Sequence, residues 1–370
     1  MIFTSLRLAG FRNYQELCWT PHPGTTVLYG ANGSGKTNLL EAMHLLSLGR
    51  SHRTSADREM IAQGADMALV RGETRRLDGR HDIEIRLYPM ERQHKRVLLF
   101  GKPAERIGDL MGHATCVLFA PEDLRIVRDG PAARRRFIDM QLSQIRPAYL
   151  AALKRYLNVL DSRNALLKRQ RGTADFAAQL DTWDEQLAAA AGPVADMRRW
   201  FVEALSARAA EQYAAISENP EERLEVRYAG PLAQAGDAAG KMLEGLRRTR
   251  GDDLQRYYTH FGPHRDDMTL LLRGKELRAY GSQGQVRTAV LSLKLGELPL
   301  IEHEMGETPA LLLDDVFSEL DARRRGALLQ SAAGAQTVIT CTDKADAAGA
   351  KADVFFRVSQ QQGHAILEEG

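Results

Sequence analysis

Eight consecutive residues carry the clearest chemistry in the chain: Gly30-Ala31-Asn32-Gly33-Ser34-Gly35-Lys36-Thr37. They fit G-x-x-x-x-G-K-[ST], a loop that wraps phosphate. Its glycines let the backbone curl until successive N–H groups converge on one centre. The spacing predicts that Lys36 reaches the outer phosphates of ATP and that the Thr37 hydroxyl meets Mg²⁺. Far along the chain, Pro309-Ala310-Leu311-Leu312-Leu313-Asp314-Asp315 is an apolar run closed by two carboxylates. One acidic group there can hold the metal; the next can orient and deprotonate an attacking water. Asp314 is assigned to the metal and Asp315 to the water. The third set is Tyr280-Gly281-Ser282-Gln283-Gly284-Gln285, followed by a helical run with Val286, Val290, Leu293 and Leu298 inward. A hydroxyl and bare N–H groups at a helix start can grip an anion. An ordinary capped helix start fits the same residues.

These groups need elements to hold them. A strand at 25–29 precedes the loop, and a helix with Leu39, Met43 and Leu46 on one face follows it through Asn38. Residues 309–313 read as a buried parallel strand whose C-terminal end meets the ligand. Alternation at 2–8 and 15–20 predicts two more strands. Segments 67–72, 83–88, 96–100 and 114–119 are separated by turn residues and read as an antiparallel meander. Between them, Gly49-Arg50-Ser51-His52-Arg53-Thr54 is polar and basic. It reads either as a solvated loop or as a set aimed at nucleotide or DNA.

From about residue 132 to 217 the composition is helical. Gly172-Thr173 and Asn219-Pro220 are expected to end helices, and Gly192-Pro193 to interrupt one. The apolar stripes are narrow, so these helices should pack on one another. At about 25 residues a helix is roughly 37 Å long, which suggests an arm. Strands at 224–228 and 268–272 flank a helix at 241–258, with a hairpin partner expected at 276–279. The predicted division is residues 1–125, 126–258 (the helical arm) and 259–370.

The 370 residues are 44% apolar with net charge +2, enough for a sizeable core and too balanced to call for nucleic acid by themselves. Basic excess is local. Arg125, Arg128, Arg134, Arg135, Arg136, Arg146, Lys154, Arg155, Arg163, Lys168, Arg169 and Arg171 face only Asp129, Asp139 and Asp161 over the same span. This is either a solvated helix face or a phosphate-binding surface. Cys18, Cys116 and Cys341 have no metal or disulfide spacing. The N-terminus lacks a signal peptide's regions and no run is long enough to span a membrane, so a soluble cytoplasmic protein is expected.

The ordered set Gly30–Thr37, Gly49–Thr54, residues 119–123, Arg134-Arg135-Arg136-Phe137, Gly262-Pro263-His264-Arg265-Asp266-Asp267, residues 281–287 and Leu311 through Ser318-Glu319-Leu320-Asp321 resembles ATP-binding-cassette ATPases of the SMC type, and among them the RecF family of bacterial recombination repair. The resemblance spans nearly the whole chain. It implies an α/β fold: a P-loop ATPase head of two lobes, with mixed sheet, antiparallel meander and an inserted α-helical arm. Gly30 through Asn38 would bind ATP in one protomer. Ser282, Gly284 and Gln285 of a second copy would complete the site, so ATP would hold a homodimer together. DNA (duplex and gap junctions) and RecR, with RecO, are the implied partners, and a slow, DNA-stimulated ATPase the implied activity. Lys36 and Asp315 are the expected catalytic residues, Thr37 and Asp314 the metal ligands.

The sequence departs from the cassette pattern in two places. The lobe junction, Phe119-Ala120-Pro121-Glu122-Asp123, has no glutamine. The segment Thr340-Cys341-Thr342-Asp343 has no histidine, so Thr340 or Thr342 is left to sense the γ-phosphate. Asp315 is one methylene shorter than the usual glutamate, which predicts slow turnover. A transporter ATPase subunit is disfavoured by the basic arm. An SMC-like nuclease is disfavoured because only a strand or two is expected after Asp343.

Overall fold

The computed structural model describes residues 1–370 apart from 90–93, 170–174, 218, 220, 235, 318–319 and 348. Arg171, the helix stops expected at Gly172-Thr173 and Pro220, and Ser318-Glu319 lie outside the described residues. The chain divides into two compact units: Met1–Leu124 with Arg208–Glu222 and Arg287–Gly370, and Arg125–Ala207 with Arg223–Val286.

In the first unit, strands Ile2–Phe11 and Tyr14–Trp19 form a hairpin, and Ile2–Phe11 pairs antiparallel with Ala68–Arg76. Gly79–Leu87, Lys95–Leu99 and Lys102–Pro103 continue that sheet as a meander. Residues 114–119 are not its fourth strand, as the turn spacing had suggested. Cys116–Phe119 instead pairs in parallel with Ala310–Leu313. All four of its residues are buried, as in a strand covered on both faces. Thr337–Cys341, Thr25–Tyr29 and Val354–Gln361 extend this second sheet in parallel, and His364–Glu369 closes it antiparallel.

The helix Lys36–Leu48 packs on strands of both sheets and is buried nearly all round. Leu39, Met43 and Leu46 share one apolar core with Phe3, Leu8, Ile85, Leu312 and Val338. Leu46 lies so near Gly72 that a Cβ there would sit 2.5 Å from its Cδ1. Cys18 is exposed on an edge strand, whereas Cys116 and Cys341 are buried. Among the described residues no helix is long and apolar enough to cross a membrane.

The second unit contains helices Pro131–Ile145, Pro147–Leu167 and Ala238–Arg256, and the N-terminal part of Phe176–Ile216. That last helix is continuous over 41 residues with Pro193 inside it; the expected interruption does not occur. Proline removes one N–H, but Ala190, Ala191, Val194 and Ala195 around it are buried, and this packing offsets the lost bond. The small sheet pairs Asp267–Leu272 with Leu224–Ala229 and with Lys275–Glu276. The hairpin partner is therefore two residues long, and residues 277–280 become helix instead. Arg273 and Gly274, both at positive φ (51° and 74°), make the tight turn that sets this register.

Arginine–carboxylate pairs knit the interior of this unit. Arg163 is fully buried and donates to Asp184 (2.6 Å), Asp253 (2.8 Å) and Thr259 (2.8 Å). Arg134 is buried and makes a forked pair with Asp267 at 2.6 and 2.9 Å. These two arginines belong to the basic excess, yet they face inward. The pattern misleads because charge counted along a helix does not say which face it occupies. Arg125, Arg128, Arg136, Lys154, Arg155, Lys168 and Arg169 are exposed.

Candidate nucleotide-binding site

The phosphate loop leaves the carboxyl end of Thr25–Tyr29 and enters the helix at Lys36. Two glycines are required by close approach as well as by conformation. At Gly30 (φ 153°) a Cβ would fall 2.1 Å from Val358 O, and at Gly35 (φ 122°) 2.9 Å from Asn13 Oδ1. Lys36 curls over the loop, its Nζ donating to Gly30 O (2.6 Å) and Ala31 O (2.9 Å). Burial pulls its ammonium below the ordinary lysine value; Asp315 and Asp314 oppose the shift.

Parallel register brings the second half of the site to the same edge. Leu313 pairs with both Phe119 and Ile339, and Cys341 with Tyr29. Asp314 therefore follows its strand directly opposite Thr37, whose Oγ1 donates to Asp314 Oδ1 at 2.8 Å. Thr340 Oγ1 donates to the same oxygen at 2.7 Å and accepts the Asp315 N–H at 2.9 Å. Burial raises the Asp314 carboxyl above its usual range, the bonds from Thr340 and Thr37 restrain it, and Glu122 and Asp315 add repulsion. Asp315 has φ 51°, an uncommon backbone conformation at a chemically charged position. Thr342, exposed, stands 3.4 Å from Asn32 Oδ1.

Sequence reasoning had passed over several groups around the loop. Asn13 Nδ2 donates to Ser34 O (3.0 Å), and its Oδ1 accepts from Asn38 Nδ2 (2.8 Å). Arg12 makes a forked pair with Glu41 at 2.8 and 2.6 Å; Glu41 is fully buried in the loop's helix. Ser51 Oγ donates to Glu41 Oε1 at 2.5 Å, and Arg53 Nη1 to Asn38 Oδ1 at 2.9 Å. Ser51 and Arg53 thus bond side chains of the helix that follows the phosphate loop. Gln360 Nε2 donates to Gly33 O at 2.8 Å. Glu122, whose charge bears on Asp314, lies at the junction where a glutamine was missed. The turn Arg12-Asn13 and the dipeptide Pro121-Glu122, each beside a strand end, were the available signals.

Among the described residues no group of three or more His, Cys, Asp or Glu could hold a metal alone. The Thr37 hydroxyl and Asp314 carboxylate are hard oxygen donors suited to Mg²⁺, which ordinarily takes one or two protein ligands beside phosphate and water.

The second unit carries Ser282, Gly284 and Gln285. Ser282 Oγ accepts the Gln285 N–H (3.2 Å) while Gln285 Oε1 accepts the Ser282 N–H (2.8 Å). This reciprocal capping box opens the helix Gln283–Met305. Ser282 is exposed, and among the described residues no atom beyond its chain neighbours and its own helix backbone stands within 4 Å of where a Cβ on Gly284 would lie.

Comparison with known proteins agrees with this architecture. The RecF/RecN/SMC N terminal domain family matches residues 2–366. The DNA replication and repair protein RecF of Alkaliphilus oremlandii is 40% identical, over 92% of this chain and 93% of its own. That of Symbiobacterium thermophilum is 41% identical, over 94% and 92%. A solved structure of the recombination mediator protein RecF-ATP in the RecFOR pathway superposes with TM-score 0.90 at 34% identity, covering 100% of this chain and 97% of that one. The Smc head domain of Pyrococcus furiosus, 17% identical with TM-score 0.59, shares the fold. The fold is thus the mixed α/β head of the ABC/SMC ATPases, and the chain belongs to the RecF family.

Proposed function

We propose that this chain is an ATP-dependent DNA-repair switch, in which two copies enclose two ATP molecules and clamp duplex DNA beside single-stranded gaps. The observation that carries it is the meeting of Lys36, Thr37, Asp314, Asp315 and Thr340 at one sheet edge, set by Thr37–Asp314 at 2.8 Å and Thr340–Asp314 at 2.7 Å. Residues Gly30 through Asn38 cradle the phosphates with backbone N–H groups and Lys36. Thr37 and Asp314 hold Mg²⁺, which neutralises phosphate charge. Asp315 orients the attacking water. Ser282, Gly284 and Gln285 of the second copy meet the outer phosphate, with the exposed helix start satisfying its charge. Neither copy alone holds a finished site, so ATP stabilises the dimer by mass action and hydrolysis releases it.

The exposed arginines and lysines of the second unit supply phosphate contacts that read no sequence, and binding should weaken steeply with salt. The relatives' role in a RecFOR pathway supports RecR and RecO as partners in loading recombinase at gaps. Light scattering of the protein with Mg²⁺ and ATP, ADP or no nucleotide, with and without duplex, tests the reading. A dimer with ATP alone is expected. A chain that stays monomeric when saturated with ATP and duplex overturns it. Lys36→Met should abolish ATP-dependent DNA retention.

A further inference from the structure

The phosphate loop has a second side. Its first half borders a cavity of about 490 Å³ that Lys36, Thr37 and Asp314 do not line. Gly30, Asn32, Ser34, Thr342, Arg357 and Ser359 are among its walls, all within the first unit. The strand Val354–Gln361 runs hard against the start of the loop, which is why Gly30 has no room for a Cβ beside Val358 O. Gln360 Nε2 fastens the same strand to Gly33 O. Arg357 and Ser359 alternate along it and so share a face.

The walls carry polar groups that nothing in the chain uses. Ser34 is 4% exposed, yet its Oγ has no hydrogen-bond partner among the described residues. Buried hydroxyls are ordinarily bonded, and one left bare is costly. Arg357 is exposed and makes no ion pair among the described residues. Thr342 and Asn32 add a hydroxyl and an amide, 3.4 Å apart. Among the described residues no carboxylate lines the cavity.

Hydroxyls, an amide and a guanidinium without a carboxylate suit an oxyanion rather than a metal ion. A base would need an open aromatic face, and the Tyr29 ring in the wall already has Lys344 Nζ 5.9 Å from its centre. On the ATPase reading, Asn32 and Thr342 stand at the outer end of the triphosphate, so the cavity begins where ATP stops. Cleavage breaks the bond from the γ-phosphorus to its bridging oxygen, which stays on ADP. The oxygen of water takes its place, one proton passes to solvent, and the phosphate so formed has to leave. We propose that this cavity is a phosphate subsite, with Ser34 Oγ and Arg357 as donors, that receives the product phosphate on its way out. This rests on the ATPase reading and adds the route and the residues for one product.

The test is the phosphorus NMR line of inorganic phosphate, titrated with the full-length protein holding Mg²⁺ and either ADP or a non-hydrolysable ATP analogue. Phosphate should bind in both states, since the analogue fills the loop and leaves the cavity open. Arg357→Gln removes a charge at an exposed position and should weaken binding about fivefold in both, with the thermal midpoint unchanged. Ser34→Ala deletes an unbonded hydroxyl, so its midpoint should hold or rise while phosphate affinity falls. Added phosphate should inhibit steady-state hydrolysis without raising KM, and Arg357→Gln should need about fivefold more of it. Phosphate displaced by the analogue, or competitive inhibition, places the ion in the γ-position and overturns the proposal. Wild-type phosphate affinity in a folded Arg357→Gln chain overturns it as well. Binding without inhibition makes the ion a bulk ligand with no part in turnover and overturns the exit role. Loss of the ATP-dependent dimer in Arg357→Gln with phosphate affinity intact gives the cavity to a second copy instead. Wild-type protein that hydrolyses no ATP removes the ATPase reading, and the phosphate titration then decides the subsite by itself.

Discussion

Thr340 has a single hydroxyl proton, and it is committed to Asp314 while its oxygen receives the Asp315 N–H. Being fully buried, it holds the Asp314 carboxylate and the Asp315 backbone in place and leaves Thr342, beside Asn32, as an exposed hydroxyl near the loop. Thr340→Val should leave the Asp315 N–H without its partner, costing about 1–3 kcal/mol of stability. We expect single-turnover phosphate release to drop at least tenfold while ATP binding, followed by filter retention, changes little. Thr342→Val separates orientation from sensing: it should slow release without lowering stability.

Histidines set a second residue-scale expectation. Burial pushes His44 down to about 3 and His264 down to about 4 from an ordinary 6.5. Both folded values are depressed, so the unfolded chain binds the extra protons between them and 6.5. Stability is therefore full well above pH 6.5 and is lost as pH falls toward 4 for His264 and toward 3 for His44. Going from pH 6.5 to 5 should cost roughly 2 kcal/mol per histidine. Urea midpoints across that interval check this; His44→Gln should flatten the slope, and an unchanged slope would count against it.

Gly296 shows how closely elements approach. A Cβ there would lie 3.0 Å from Ala209 N, backbone of the long helix Phe176–Ile216. Gly296→Val should force the two helices apart and destabilise by about 1–3 kcal/mol, seen as a lower thermal midpoint. A midpoint equal to wild type would show that the contact yields easily. Pro193→Ala should do the opposite, since a helix-interior proline costs up to ~3 kcal/mol.

These elements also show where sequence reading works and where it stops. The strand–loop–helix at 25–48 and the strand Ala310–Leu313 were legible because their signals are local: glycine spacing, an apolar run and a terminal carboxylate pair. Asn13, Arg12 and Glu122 were not, because they reach the loop, its helix at Glu41 and Asp314 only through tertiary folding. Cys116–Phe119 was given to the wrong sheet because a short apolar run fits either neighbour and only pairing decides. Pro193 was misjudged because propensity knows nothing of the buried alanines beside it. Arg134 and Arg163 read as part of a solvated helix face or a phosphate-binding surface, since sequence does not say which carboxylate will claim them.

For the whole molecule, the proposed dimer makes two variants diverge. Ser282→Arg places a bulky cation at an exposed helix start; ATP binding should persist while the ATP-dependent dimer is lost. Asp315→Asn should keep both and lengthen the dimer's life, because the water loses its base. Light scattering during ATP chase reads both, and a Ser282→Arg chain that still dimerises would place the shared contact elsewhere. Cys18 offers a way to watch this directly. It is the exposed thiol on an edge strand, with Cys116 and Cys341 shut inside the sheet. A maleimide dye should therefore attach at one position in the unmutated chain, so that mixing donor- and acceptor-labelled pools reports assembly and release in real time, by energy transfer, without an engineered cysteine.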